Sequence, residues 1–157
     1  MDRTPSRREL VRRVAALSLA PAVVTLVPAS ARATPEEMQA AILRVTGGVE
    51  PKPGRVKIEI PPLSENGNTV PITVTVESPM TAKDHVKAIH IFNERNPQPN
   101  IISAWLGPRA GQATLQTRAR LSDTQNIVAI AQLSDGSFWS QSAHVIVTLG
   151  ACLEEPI

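Results

Sequence analysis

Residues 56–77 read VKIEIPPLSENGNTVPITVTVE. Val56, Ile58 and Ile60 alternate with Lys57 and Glu59, and after a polar break Val70, Ile72, Val74 and Val76 alternate with Pro71, Thr73, Thr75 and Glu77. A period of two sends successive side chains to opposite faces, so each run reads as a strand with one buried face. Pro61-Pro62 ends the first run, and Glu65-Asn66-Gly67-Asn68 supplies the turn between them. Pro71 has no amide hydrogen to donate, which predicts that the second strand, or its start, lies at a sheet edge.

Five further strands are predicted from the same signal: HVKAIHIF (85–92), NIISAWLG (100–107), GQATLQTRARL (111–121), QNIVAIAQLSD (125–135) and SFWSQSAHVIVTL (137–149). Asn96-Pro97-Gln98-Pro99, Gly107-Pro108, Ser122-Asp123 and Asp135-Gly136 punctuate them, the last as a two-residue hairpin turn. Seven short strands with no helices between them predict an all-β protein, an immunoglobulin-like antiparallel β-sandwich. The cysteine pair and tryptophan spacing of antibody domains are missing, so the likeness is one of architecture. A short helix precedes the sandwich: Thr34 as N-cap, Pro35 at the first helical position, Glu36 and Glu37 in the first turn, and Gly47-Gly48 as the stop. Met38, Ile42 and Val45 share one face with Ala41 beside them, so this helix is expected to lie on an apolar surface.

The first 33 residues read as an address. SRRELVRR contains Arg7 and Arg8, an apolar run follows from Val14 to Val27, and Ala31-Arg32-Ala33 offers a small-residue cleavage site. This is the pattern of a twin-arginine export signal cut after Ala33, which predicts a periplasmic protein with no membrane attachment after cleavage. The leader holds six of the 16 basic residues and two of the 14 acidic ones, leaving 10 basic against 12 acidic residues in the mature chain. A slightly acidic mature chain argues against nucleic acid as a partner. Export after folding predicts a preassembled protein partner. No C-x-x-C or H-x-x-x-H pair suggests a metal, and no cofactor is expected. The organisation that follows is a leader (1–33), a helix plus sandwich (34–149) and an exposed arm (150–157).

Ser137, Ser140 and Ser142 with His85, His90, Asp84 and Asp135 contain the residue types of a hydrolytic triad. No G-x-S-x-G elbow frames any of the serines, and they fall beside a hairpin or along a strand needing polar outward residues. The aromatic content is Phe92, Trp105, Phe138 and Trp139. Adjacent on one strand, Phe138 and Trp139 are expected on opposite faces, one in the core and the other at a surface or interface.

Cys152 is the sole cysteine. In an oxidising compartment it pairs between chains, reacts, or idles. Alternation ends near Thr148 and Leu149, so an extended tail is expected to hold the thiol roughly 13 Å from the sheet, at about 3.3 Å per residue.

Residues 47–99, GGVEPKPGRVKIEIPPLSENGNTVPITVTVESPMTAKDHVKAIHIFNERNPQP, together with LGPRAG (106–111), SDGSFWS (134–140) and the near-terminal cysteine, resemble the SoxY family, the sulfur carriers of bacterial thiosulfate oxidation. The resemblance runs from about Glu37 to Cys152. It implies a non-catalytic sandwich subunit paired with a second immunoglobulin-like subunit, SoxZ. It further implies that Cys152 covalently carries thiosulfate-derived adducts. A c-type cytochrome would load the thiol, a sulfate-thiol hydrolase would release sulfate, and a sulfur dehydrogenase would oxidise the remaining sulfur. The alternative is a periplasmic interaction module whose thiol only forms intermolecular disulfides.

One departure stands out. The family tail is typically Gly-Gly-Cys-Gly-Gly, whereas here Gly150, Ala151, Cys152, Leu153, Glu154, Glu155, Pro156 and Ile157 follow one another. Arm flexibility and docking are therefore assigned to Gly150, Ala151, Leu153, Glu154 and Glu155. The two carboxylates oppose formation of the thiolate and predict docking at a cationic site on a partner.

Overall fold

The computed structural model describes residues 33–151. The predicted leader apart from Ala33, and Cys152, Leu153, Glu154 and Glu155, lie outside the described residues.

Helix α1 (Pro35–Thr46) begins where its sequence signals fall. The Glu37 N–H donates to Thr34 Oγ1, and the Thr34 N–H donates to Glu37 Oε2, a reciprocal capping box. Gly47 closes the helix in the left-handed region at φ 67°, its N–H donating to Leu43 O. Nine strands follow: β1 (Lys52–Pro53), β2 (Val56–Glu59), β3 (Leu63–Ser64), β4 (Val70–Val76), β5 (Val86–Asn93), β6 (Asn100–Trp105), β7 (Thr114–Ala119), β8 (Gln125–Leu133) and β9 (Phe138–Val147). The seven predicted strands are all present, and β1 and β3 are added.

The strands form two sheets. The larger has the order β1-β9-β8-β5-β6, with β3 also on β9, and the smaller is β2-β4-β7. Their facing sides bury Val70, Ile72, Val74 and Val76 from β4 against Ile89, Ile91, Ile127, Ala129 and Val145 from the larger sheet. This is an immunoglobulin-like sandwich, and each fully buried aliphatic side chain in it contributes about 1.5–3 kcal/mol. The main ladders are antiparallel, but β1 and β3 pair with β9 in parallel, through Lys52↔Trp139 and Leu63↔Ile146. Between them the chain crosses to the smaller sheet as β2, swung over by Gly54 and Arg55, both at positive φ. There the Ile58 N–H donates to Gln141 Oε1 of β9 at 2.6 Å, so one side-chain amide bridges the two sheets.

Strand β4 is the central strand of its sheet, yet the reading of Pro71 holds for the start of the strand. β7 pairs with β4 from Val70 to Thr75, whereas β2 reaches only from Thr73 to Val76. The missing donor therefore falls where β4 has one neighbour.

The outer face of the larger sheet carries α1. Met38, Ala41 and Ile42 pack on Phe92, Ile130 and Phe138, with Val45 and Val128 at the margin. This contact buries β5 on both faces, and it separates the neighbours Phe138 and Trp139: Phe138 lies beneath the helix and Trp139 against the inter-sheet core. Arg55 stacks over the Trp139 ring at 5.5 Å. Trp105, at the end of edge strand β6, is 77% exposed.

His90 lies on the same outer face, 5% exposed, between Phe92 and an edge-on Trp105. Its Nδ1 is 2.8 Å from Ser103 Oγ, which in turn accepts from Asn100 Nδ2 at 3.1 Å. Ser103 Oγ thus links the imidazole to the Asn100 amide. Burial lowers the His90 pKa below the ordinary histidine value. The unfolded chain then binds this proton at higher pH than the folded one. The stability contribution is complete above about pH 6.5 and is lost as pH falls through the window beneath it. Urea unfolding should show a lower midpoint at about pH 5.5 than at about pH 7.5, and His90→Gln should flatten that slope.

Candidate functional site at the root of the C-terminal segment

The chain leaves β9 at Val147 and does not come free. Three backbone hydrogen bonds of 2.8 Å each join three distant segments: the Gly67 N–H donates to Leu149 O, the Leu121 N–H to Gly67 O, and the Ala151 N–H to Leu121 O. Thr148 adds two more bonds, its N–H donating to Ser64 O and its Oγ1 to Glu65 O. Ala151 is 2% exposed. The assignment of Gly150 and Ala151 to an exposed arm is therefore corrected. Both belong to the body, because the Ala151 N–H is hydrogen-bonded to Leu121 O and Gly150 packs against the Ser122 carbonyl. Ala151, one peptide bond before Cys152, is thus fixed to the body, so the free chain of about 13 Å expected beyond Thr148 does not begin there.

Two glycines allow this approach. A Cβ on Gly150 would overlap the carbonyl oxygen of Ser122, and a Cβ on Gly67 would overlap that of Leu121 and stand 2.9 Å from Ala151 N. Gly67 is presented by a 3-10 turn (Gly67–Thr69), which Asn66 opens by accepting the Asn68 N–H on its side-chain oxygen at 2.9 Å.

Ser122, against which Gly150 rests, is itself held by a network of amides. Asn96 Oδ1 accepts from the Ser122 N–H (3.0 Å), Ser122 Oγ (3.2 Å) and Gln125 Nε2 (3.1 Å), while Asn96 Nδ2 donates to Arg120 O at 2.7 Å. Gln125 Oε1 accepts the Arg95 N–H, and Asn93 Oδ1 accepts the Asn96 N–H. Asn93 and Gln125 are almost wholly buried, and each has its partners. The Ala33 N–H donates to Asn96 O at 2.7 Å, and Ala33 is 3% exposed. The packed body thus takes in one residue that the sequence assigns to the leader.

Asn93, Asn96, Ser122 and Gln125 were legible only as turn punctuation or strand ends. A buried amide network has no periodicity, and its one sequence signal is polar residues crowded into "FNERN" where an apolar strand stops.

Of the triad residue types, Ser137 and Asp135 meet, but none of His85, His90 and His144 is hydrogen-bonded to either of them. Ser137 Oγ donates to Asp135 Oδ1 at 2.7 Å and accepts from Trp139 Nε1, closing the hairpin. That hydroxyl, with the Ser137 N–H, holds the Asp135 carboxyl below its ordinary value. His85 Nδ1 bonds Thr81 O, and His144 Nδ1 lies 3.0 Å from Asn126 Oδ1. His90 meets Ser103, which the sequence did not single out. Among the described residues no three His, Cys, Asp or Glu side chains form a group able to hold a metal ion.

The fold and this joint define a class: a two-sheet immunoglobulin-like sandwich stapled to its C-terminal segment immediately before a single cysteine. The family model described as sulfur oxidation protein SoxY matches residues 42–152, and the chain belongs to that family. The sulfur carrier protein SoxY from Chlorobium limicola f thiosulfatophilum is similar in structure at a TM-score of 0.60 and 28% identity, covering 73% of this chain and 98% of that one. A superoxide reductase (neelaredoxin) from Ignicoccus hospitalis shares the fold at a TM-score of 0.54 and 15% identity, over 74% of this chain and 95% of its own. A putative superoxide reductase from Thermotoga maritima does so at 0.52 and 22%, over 62% and 87%. Among curated protein sequences, none matches the chain.

Gly150→Ala should force the segment away from Ser122 at a cost of about 1–3 kcal/mol. Equilibrium urea unfolding measures the loss, and faster hydrogen exchange at the Ala151 amide than in the parent chain locates it.

Proposed function

We propose that this protein is a periplasmic sulfur carrier of thiosulfate oxidation that holds sulfur intermediates on Cys152 while partner enzymes act on them. The observation that carries the reading is the extent of the family match, which runs through the whole sandwich and ends on Cys152. The hydrogen bond of the buried Ala151 to Leu121 supports it by holding the chain to the body up to the residue before the thiol.

Loading joins the cysteine sulfur to the outer sulfur of thiosulfate as a disulfide bond. It releases two electrons, which a c-type cytochrome accepts, and the thiol proton goes to solvent. A sulfate-thiol hydrolase then adds water, releasing sulfate and leaving a persulfide on Cys152. A sulfur dehydrogenase oxidises the remaining sulfur. The protein supplies the attachment point, and its partners supply the catalysis. The twin-arginine leader carries the folded chain out together with a SoxZ-like immunoglobulin-like subunit.

Intact-mass analysis of protein from cells growing on thiosulfate should show adducts confined to the C-terminal peptide, and Cys152→Ala should show none. A reducible dimer with an otherwise unmodified cysteine would establish the interaction-module alternative instead.

A further inference from the structure

Beside the joint that holds Ala151, an open depression lies between the segment after β5 and the end of β7. Asn96, Gln98, Asn100, Arg118 and Arg120 line it, and no carboxylate does. Arg118 and Arg120 are two residues apart on extended chain, so they project from the same side with their roots about 7 Å apart, and both are exposed. The cross-strand neighbours on that face, Pro71 opposite Arg118 and Thr73 opposite Gln116, carry no charge.

Side-chain amides fix the backbone on both sides of the depression. The buried Asn93 donates through Nδ2 to Gln98 O at 2.9 Å, and its N–H donates to Pro99 O at 2.8 Å. Asn96 Nδ2 donates to Arg120 O at 2.7 Å, and Asn100 Nδ2 to Ser103 Oγ at 3.1 Å. Those amides are committed to the scaffold. The two guanidinium groups and the exposed Gln98 side chain remain as donors toward the opening.

The carboxylates that could neutralise these arginines are engaged elsewhere. Glu94 Oε1 accepts from the Asn126 N–H and Nδ2, Asp123 Oδ1 accepts the Thr124 N–H, and Glu37 Oε2 accepts the Thr34 N–H. Among the described residues the one ion pair is Lys57 with Glu59. A carboxylate ligand has one edge and engages one guanidinium. A tetrahedral dianion has oxygens on several sides and engages two at once, through charge-assisted bonds of about 2.7–2.9 Å.

We propose that this depression binds a divalent tetrahedral oxoanion of the sulfate class, gripped by Arg118 and Arg120 with a further hydrogen bond from the Gln98 amide. Naming thiosulfate as its occupant rests on the carrier reading, whereas the site rests on the charges and the fixed backbone around them. Arg120 O is one residue before Leu121 O, which holds the Ala151 N–H, so the bound anion sits beside the root of the segment that leads to the thiol. The site there raises the local concentration of the anion to be loaded. Because both arginines are exposed, binding is weak and falls with ionic strength, which suits a substrate that must leave again.

The test uses the protein carrying Cys152→Ala, which keeps thiol chemistry out of the measurement. It is titrated with sodium thiosulfate and, separately, with sodium sulfate, at an ionic strength held constant with sodium chloride. Proton–nitrogen correlation spectra follow the backbone amides of residues 96–101 and 118–120 and the arginine Nε–H groups. Both anions should give saturable shifts at these positions. Arg118→Gln and Arg120→Gln should each weaken binding about tenfold, and the double change should abolish saturation. Arg95→Gln, at an exposed arginine outside the depression, should leave the affinity unchanged. Unchanged thermal unfolding of each variant is the folding control. Shifts that saturate with neither anion, saturation that survives the double change, or an equal loss on Arg95→Gln would each overturn the site. Saturable binding to a protein that carries no adduct on Cys152 in cells would uphold the site and remove only thiosulfate as its occupant.

Discussion

The relay of backbone bonds from Leu149 to Gly67, from Gly67 to Leu121 and from Leu121 to Ala151 is the constraint on which the C-terminal end of the described body depends. Each bond joins segments remote in sequence, and the close approach they require leaves no room for a Cβ at Gly67 against Leu121 or at Gly150 against Ser122. Sheet pairing alone would release the chain at Val147. The relay carries order four residues further, to the threshold of the cysteine. Behind it, the amides of Asn96 and Gln125 fix the Ser122 carbonyl on which Gly150 rests. A polar cluster therefore does for this corner what aliphatic packing does for the sandwich, with directionality that packing lacks.

The rest of the architecture keeps that corner in place. β9 has three partner strands, with β8 along one side and β1 and β3 at the two ends of the other. Its position follows from the register of β3, whose Ser64 pairs with Val147 and whose carbonyl receives the Thr148 N–H. At the far end, α1 and the stack of Arg55 on Trp139 cover the sheet where its hairpin would otherwise be exposed. The helix brings the N-terminal end of the body to the joint as well, since Ala33 is bonded to Asn96.

Much of this was legible in the sequence, for identifiable reasons. Alternation of Val, Ile and Thr located all seven long strands, because a half-buried strand has a period that can be counted. Thr34, Pro35, Glu37 and Gly47 located the helix, because its ends have obligatory chemistry. β1 and β3 escaped notice because two residues show no period, and their parallel pairing follows from the crossing of the chain between sheets rather than from local preference. The assignment of Gly150 and Ala151 to a free arm failed for a related reason. A glycine beside an alanine reads as slack, whereas here the small residues permit close approach of one backbone to another. The same residue type serves both ends, and only the tertiary neighbour distinguishes them.

The separation of the relay's partners along the chain has a kinetic consequence. Gly67, Leu121 and Ala151 come from three distant parts of the sequence, so closing the joint requires two long loops to be drawn in before any bond rewards the entropy spent. Contacts of this kind cost more loop-closure entropy than those of the local hairpins. The corner that precedes Cys152 is therefore a long-range assembly, completed only when Gly67, Leu121 and Ala151 have all been brought together.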